Sequence, residues 1–207
     1  VQALPERGRP KIVAITGTNG KSTTTALIGH ILKHAGRDAR IGGNIGTGVL
    51  DLAPLHANAT YVLELSSYQL DLVKSLHCDV AVLLNITPDH LDRHGGMDGY
   101  QAAKMRIFQN QTEKDVAIIG FDDVITQSIP IGLPANGPAR VVQASSTSAL
   151  GRGVRAVDGR LYYTNSVHPH TVFHHPHCSV LSGTHIPHHP PPPNAPRPAF
   201  ESHPLSP

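Results

Sequence analysis

Short apolar runs alternate with amphipathic stretches over most of this chain. Residues 11–16 (Lys-Ile-Val-Ala-Ile-Thr) are a buried-type strand, followed by the tight loop Gly17-Thr18-Asn19-Gly20. Across 22–35, Leu27, Ile28, Ile31 and Leu32 recur at helical spacing, and Gly36 supplies a stop. Residues 60–65 and 79–85 read as two more buried strands, 97–111 as a helix, 116–119 as a strand and 140–143 as a weaker one. Residues 154–163, with Asp158-Gly159 in the middle, predict a β-hairpin. Strands alternating with helices predict an α/β fold, with a mostly parallel sheet covered by helices on both faces. In such sheets ligands gather beyond the carboxyl ends of the strands.

The pattern stops near residue 165. Residues 166–207 hold 9 of the 15 His and 11 of the 18 Pro, and Pro190-Pro191-Pro192-Pro193 can only be extended. With little periodic apolar surface to offset its ordering entropy, this Pro/His-rich tail is expected to be disordered or to be an out-of-frame reading. His174, His175, His177 and Cys178 would be the ligands in a metal-site reading, which is the weaker one.

Composition narrows the function classes. The formal charge is only +2 with no Lys/Arg run, so there is no footprint for nucleic acid. No apolar stretch approaches the roughly 20 residues of a membrane span. Two cysteines, Cys78 and Cys178, are too few for a disulfide framework and read as reduced thiols of a cytosolic protein. The start, Val1-Gln2-Ala3-Leu4-Pro5, is no signal peptide and lacks an initiator Met, so a fragment is expected.

Candidate chemistry clusters at three strand ends. Gly17-Thr18-Asn19-Gly20-Lys21-Ser22-Thr23 follows a strand and opens a helix, as a phosphate loop must. Its glycines let backbone N–H groups face phosphate oxygens, Lys21 can reach the β/γ-phosphates and Ser22 can ligate Mg²⁺. The spacing is shorter than the general G-x-x-x-x-G-K-[ST] pattern, because Ile15 stands where the first Gly would be. Glu64 closes an apolar strand, where a carboxylate is costly unless paired or metal-bound, so beside a phosphate loop it is a candidate Mg²⁺ ligand. Asp89, His90, Asp92 and His94 follow the next strand and could hold a metal or position a substrate. Composition alone makes Lys104 a surface lysine.

Together these segments resemble the Mur ligase family. The resemblance covers roughly residues 8–165 and rests on five motifs in order: the 17–23 loop, Gly42-Gly43-Asn44-Ile45-Gly46, Glu64-Leu65-Ser66-Ser67-Tyr68-Gln69-Leu70, Asn85-Ile86-Thr87-Pro88-Asp89-His90-Leu91-Asp92-Arg93 and Tyr100-Gln101-Ala102-Ala103-Lys104. Within the family, the second and third motifs point to the branch that joins D-glutamate to UDP-N-acetylmuramoyl-L-alanine. The resemblance implies that residues 17–23 hold ATP and that Ser22 and Glu64 bind a first Mg²⁺. His90 and a carbamylated Lys104 would serve a second. Asn44, Ser66, Gln69 and His90 would contact the muramoyl substrate, and Lys21, His90 and Lys104 would be the catalytic set. The implied reaction runs through an acyl phosphate in a cytoplasmic monomer.

Family members have three domains. On that pattern 1–10 is a linker from an N-terminal UDP-binding domain, 11–165 an incomplete central ATP-binding domain and 166–207 the aberrant tail. Leu181-Ser182-Gly183-Thr184-His185 resembles the family's L-x-G-x-H-N run, with Ile186 in place of Asn. The chain is therefore expected to be a truncated, inactive fragment. The alternatives are a stand-alone nucleotide-binding module and a folylpolyglutamate synthase-like ligase, which the first motif would also suit.

Overall fold

In the computed structural model the first apolar run forms β1 (Lys11–Thr16), and its residues alternate between two cores. Ile12 and Ala14 belong to one cluster, Val13 and Ile15 to the other. The same period of two divides β3 (Thr60–Glu64) and β4 (Val80–Leu83): Leu63, Ala81 and Leu83 face one side, Val62 and Val82 the other. A strand buried on both faces needs apolar side chains at every position, which is why these runs lack a polar alternate. Each fully buried Val, Ile or Leu contributes about 1.5–3 kcal/mol.

The structure describes residues 9–53, 56, 58–129, 140–147, 153–157 and 160–164, and the backbone of 169–174. The sheet has nine strands in the order β2-β3-β1-β4-β5-β6-β7-β8-β9. The remaining strands are β2 (Ala39–Gly43), β5 (Val116–Gly120), β6 (Arg140–Ser145), β7 (Gly153–Val157), β8 (Arg160–Thr164) and β9 (Pro169–His174). Pairings from β2 to β7 are parallel, while β7–β8 and β8–β9 are antiparallel. Helix α1 (Lys21–His34) packs Ile28 and Leu32 on one face, over β1, β2 and β3. The other face carries α2 (Ser67–Leu72), α3 (Leu91–His94) and α4 (Met97–Met105), through Leu70, Leu91, Tyr100 and Met105. A four-residue α5 (Val124–Gln127) follows β5, capped by the Asp123 side chain. The mostly parallel α/β sheet with helices on both faces is the fold expected from the sequence.

The differences are local. Residues 97–111 do not form one helix: α4 ends at Met105 and a 3-10 turn, Arg106–Phe108, follows. The tighter turn lets Arg106 bond the Leu70 and Val73 carbonyls and lets Gln111 bond the Cys78 and Val116 carbonyls. Strand β2 carried no strand signal, because Ala-Arg-Ile-Gly-Gly is short and has one large apolar residue. The hairpin at 154–163 is formed, with Val157 opposite Arg160. Pro169–His174, inside the segment that composition sets apart, forms β9, since Thr171, Val172 and Phe173 are strand-favouring residues that a 42-residue average hides. Positions 175–207, including the His175–His177–Cys178 group and the 181–185 run, lie outside the described residues, as do 1–8.

Candidate active site

Three neighbouring parallel strands, β3, β1 and β4, end together, and their loops build one cleft. Beyond β1, Gly17 has φ +152 and a Cβ there would come within 3.0 Å of the Leu84 Cβ, so only glycine lets the loop lie this close to the end of β4. Asn85 fastens the loop from that side. Its Oδ1 accepts from the N–H groups of Thr18 (3.1 Å) and Asn19 (2.8 Å), and its Nδ2 donates to the Asn19 carbonyl (3.1 Å). The Thr18 hydroxyl donates to the Thr87 carbonyl at 3.1 Å. Gly20, at φ 82, turns the chain into α1, whose N-terminus carries no side-chain cap. First-turn N–H groups without an intrahelical partner are free to meet an anion. Lys21 folds back over the loop, its Nζ 2.8 Å from the Thr18 carbonyl.

Glu64, 1% exposed at the end of β3, accepts from the Ser22 hydroxyl at 2.7 Å and from the Asn44 amide at 3.1 Å. Its buried charge is thus met by neutral donors. A hydroxyl beside a carboxylate, with phosphate oxygens and water to complete the shell, suits Mg²⁺, a hard cation that keeps several waters. Lys104 is 2% exposed, not a surface lysine. Its Nζ donates to the Gly17 carbonyl at 2.8 Å and lies 4.5 Å from the centre of the Tyr100 ring. Burial, and then the nearby charge of Lys21, lower its amine to about 8 against a smaller opposing pull from Asp89. As an ammonium it offers no lone pair, so the atoms present do not fit a second metal site through Lys104.

His90 is the one non-glycine with positive φ (50) among the described residues. A side chain held there is the kind of local strain that clusters at functional sites. Its ring meets Tyr68 edge-on at 5.1 Å, with Nε2 3.5 Å from the Asp89 carboxylate. Ser66 and Gln69 form a capping box at the start of α2, so they have a structural task beside any ligand contact. A cavity of about 440 Å³ joins Lys21, Asn44, Ser66, Gln69, His90 and Lys104. A larger hollow of about 820 Å³, beside Leu50, Tyr61 and Leu72, has mostly aliphatic walls.

Not every expected residue arrives. Asp92 is exposed on α3, and His94 turns away to pack on α2, so the two acids and two histidines of 89–94 do not converge. Among the described residues no three His, Cys, Asp or Glu side chains form a metal cluster. Asn85 and Tyr100 are site residues that the sequence motifs alone do not assign a task. An amide directly after a strand beside a phosphate loop was the available signal for Asn85. Nothing local signalled Tyr100. No helix among the described residues is long and apolar enough to cross a membrane.

The sequence profile of the Mur ligase middle domain matches residues 15–171. The UDP-N-acetylmuramoylalanine–D-glutamate ligase of Phenylobacterium zucineum is 63% identical over 162 residues, 78% of this chain and 34% of that one. The ligase of that name from Rhodospirillum rubrum is 55% identical over 174 residues, 84% of this chain and 36% of that one. The chain thus spans about a third of the length of the curated relatives it matches. Among solved structures, a UDP-N-acetylmuramoyl-L-alanyl-D-glutamate–2,6-diaminopimelate ligase superposes with TM-score 0.61 at 24% identity, covering 80% of this chain and 39% of that one. The MurF ligase of Thermotoga maritima in complex with ADP superposes at 0.54 and 24%, covering 74% and 37%. At that identity the likeness shows the fold alone.

Proposed function

The chain belongs to the Mur ligase family, and from that premise we propose that its cleft is the ATP site of a ligase that adds D-glutamate to UDP-N-acetylmuramoyl-L-alanine. The observation that carries the reading is the convergence of Lys21, Asn44, His90 and Lys104 on one cavity at the ends of β1, β3 and β4, with the Ser22–Glu64 pair joined to it through the Asn44 amide. The names of the relatives from Phenylobacterium zucineum and Rhodospirillum rubrum support the choice of substrates.

In this reading a carboxylate oxygen of the substrate's alanine attacks the γ-phosphorus of ATP, and ADP departs. The resulting acyl phosphate is then attacked at its carbonyl carbon by the D-glutamate amine, which loses a proton as phosphate leaves. The loop N–H groups and Lys21 bind and align the phosphates, which is most of what phosphoryl transfer asks of a protein. Ser22 and Glu64 would hold one Mg²⁺, whose chemistry is to neutralise charge on the transferring group. Lys104, with its amine already lowered, would reach a second ion only after reaction with CO₂ turns it into a carbamate, with His90 beside it. Asn44, Ser66 and Gln69 face the cavity where the muramoyl part would lie. Such an enzyme would work in the cytoplasm. Residues 11–165 would be its central domain.

Calorimetry tests the reading. Mg-ATP should bind the chain, and Lys21→Ala should weaken it by about tenfold or more, since a charge-assisted contact is worth about 1.5–3 kcal/mol. Equal Mg-ATP affinity in wild type and Lys21→Ala would sink the assignment.

A further inference from the structure

His94 closes α3 with a side chain only 2% exposed. Its Nε2 is 3.0 Å from the Ser67 hydroxyl and its Nδ1 3.3 Å from the Asp71 carboxylate. The rings of Tyr68 and Tyr100 lie against it, with centres 5.7 and 5.5 Å away. Every one of these partners except Asp71 also lines the cleft. Tyr68 meets His90, and Tyr100 lies beside the Lys104 ammonium with its hydroxyl 3.2 Å from that of Thr18. Helices of six and four residues cannot hold themselves, because so few turns do not offset nucleation. Something tertiary must fix α2 and α3, and His94 joins them to each other and to α4.

We propose that Asp71 and His94 form a brace that positions the cleft wall made by Ser67, Tyr68, His90 and Lys104 before any ligand arrives. An ionised Asp71 only accepts, so the His94 proton sits on Nδ1, and Nε2 then accepts from the Ser67 hydroxyl and fixes its rotor. The same three residue types activate a nucleophilic serine in hydrolases. Here Ser67 is 2% exposed, so the arrangement positions and does not attack. Both are positioning residues that deepen the ATP-site reading and rest on it.

The test uses the whole 207-residue chain. Ring-nitrogen NMR should find the His94 proton on Nδ1, and Asp71→Asn should change that tautomer while the fold is retained. His94→Gln, which keeps a donor and an acceptor side by side, should preserve Mg-ATP affinity. His94→Leu should lower it about tenfold, the low end for losing an outer partner of a site residue, and should move the His90 ring resonances. Should His94→Leu fail to fold, Ser67→Ala carries the comparison, weakening Mg-ATP with the tautomer unchanged. An Asp71→Asn chain with the wild-type tautomer, or Gln and Leu variants of equal affinity, overturns the brace. A wild-type chain that binds no Mg-ATP fails the functional reading instead. The tautomer and the His90 resonances then decide the brace alone, and an unmoved His90 in His94→Leu overturns it.

Discussion

The two ends of the parallel sheet treat charge in opposite ways. At the amino ends of β1 and β4, Asp79 receives Arg9 at 2.8 Å, Lys11 at 2.8 Å and the Ile12 N–H at 2.8 Å. At the amino end of β5, Asp115 is met by His77 and by the backbone and hydroxyl of Thr112. These carboxylates meet basic groups within the fold. At the carboxyl ends, Glu64 is buried against the neutral Ser22 and Asn44, and Lys104 against a carbonyl and a ring. A buried charge answered by neutral groups costs stability, and the fold keeps two of them at one cleft, Lys104 in its wall and Glu64 behind Asn44. Matched charge at one end holds the strands together. Unmatched charge at the other is what a phosphate and a cation would complete.

The largest effect should come from the matched end. Asp79→Ala strands Arg9, whose side chain is 9% exposed, and should cost about 2–4 kcal/mol in a urea titration. Burial alone would raise the Asp79 carboxyl, but the bonds from Lys11, Ile12 and Arg9 outweigh it and hold it below its ordinary value. Its stabilisation is therefore present above the unfolded value and lost as pH falls through the folded one, so wild type and Asp79→Ala should converge below about pH 4. A constant gap down to strong acid would contradict the pairing.

At the open end, Glu64→Gln should leave stability within about 0.5 kcal/mol of wild type or raise it, because Gln keeps the size and drops an uncompensated charge. Mg²⁺ dependence of ATP binding should fall in the same variant. A loss of stability as large as that of Asp79→Ala would erase the contrast between the two ends.

The remaining effect is a slope with pH. The Lys104 amine is lowered in the folded chain from 10.5 to about 8. Between those values the unfolded chain binds more protons, so wild-type stability gains as pH rises from about 8 to about 10.5. Lys104→Met should lack this component, and wild type should gain on it across that range in CO₂-free buffer. Parallel stability curves would mean that Lys104 titrates normally.

The strands and the phosphate loop were legible because their signals are local. An apolar run of 11–16 and a Gly-Lys-Ser turn need no partner to be read. Strand β2 escaped because two of its five residues are glycine, and its place is set by pairing with β3. Lys104 looked like a solvent-facing helix residue, since nothing within a few positions tells a buried lysine from an exposed one.

By itself the sequence determined the alternation of strand and helix, the loop that turns into α1, and the residue types at each strand end, because backbone propensity and side-chain period act over a few residues. The tertiary structure alone decided which charges meet. Ser22 reaches Glu64 across 42 residues, Arg9 reaches Asp79 across 70, and Lys104 reaches Gly17 across 87. Those meetings follow from the strand order β3-β1-β4, which is fixed by the burial of whole faces against each other and is written in no single segment. The same order sent His94 away from His90 and against α2, where helix packing and not sequence spacing chose its partners.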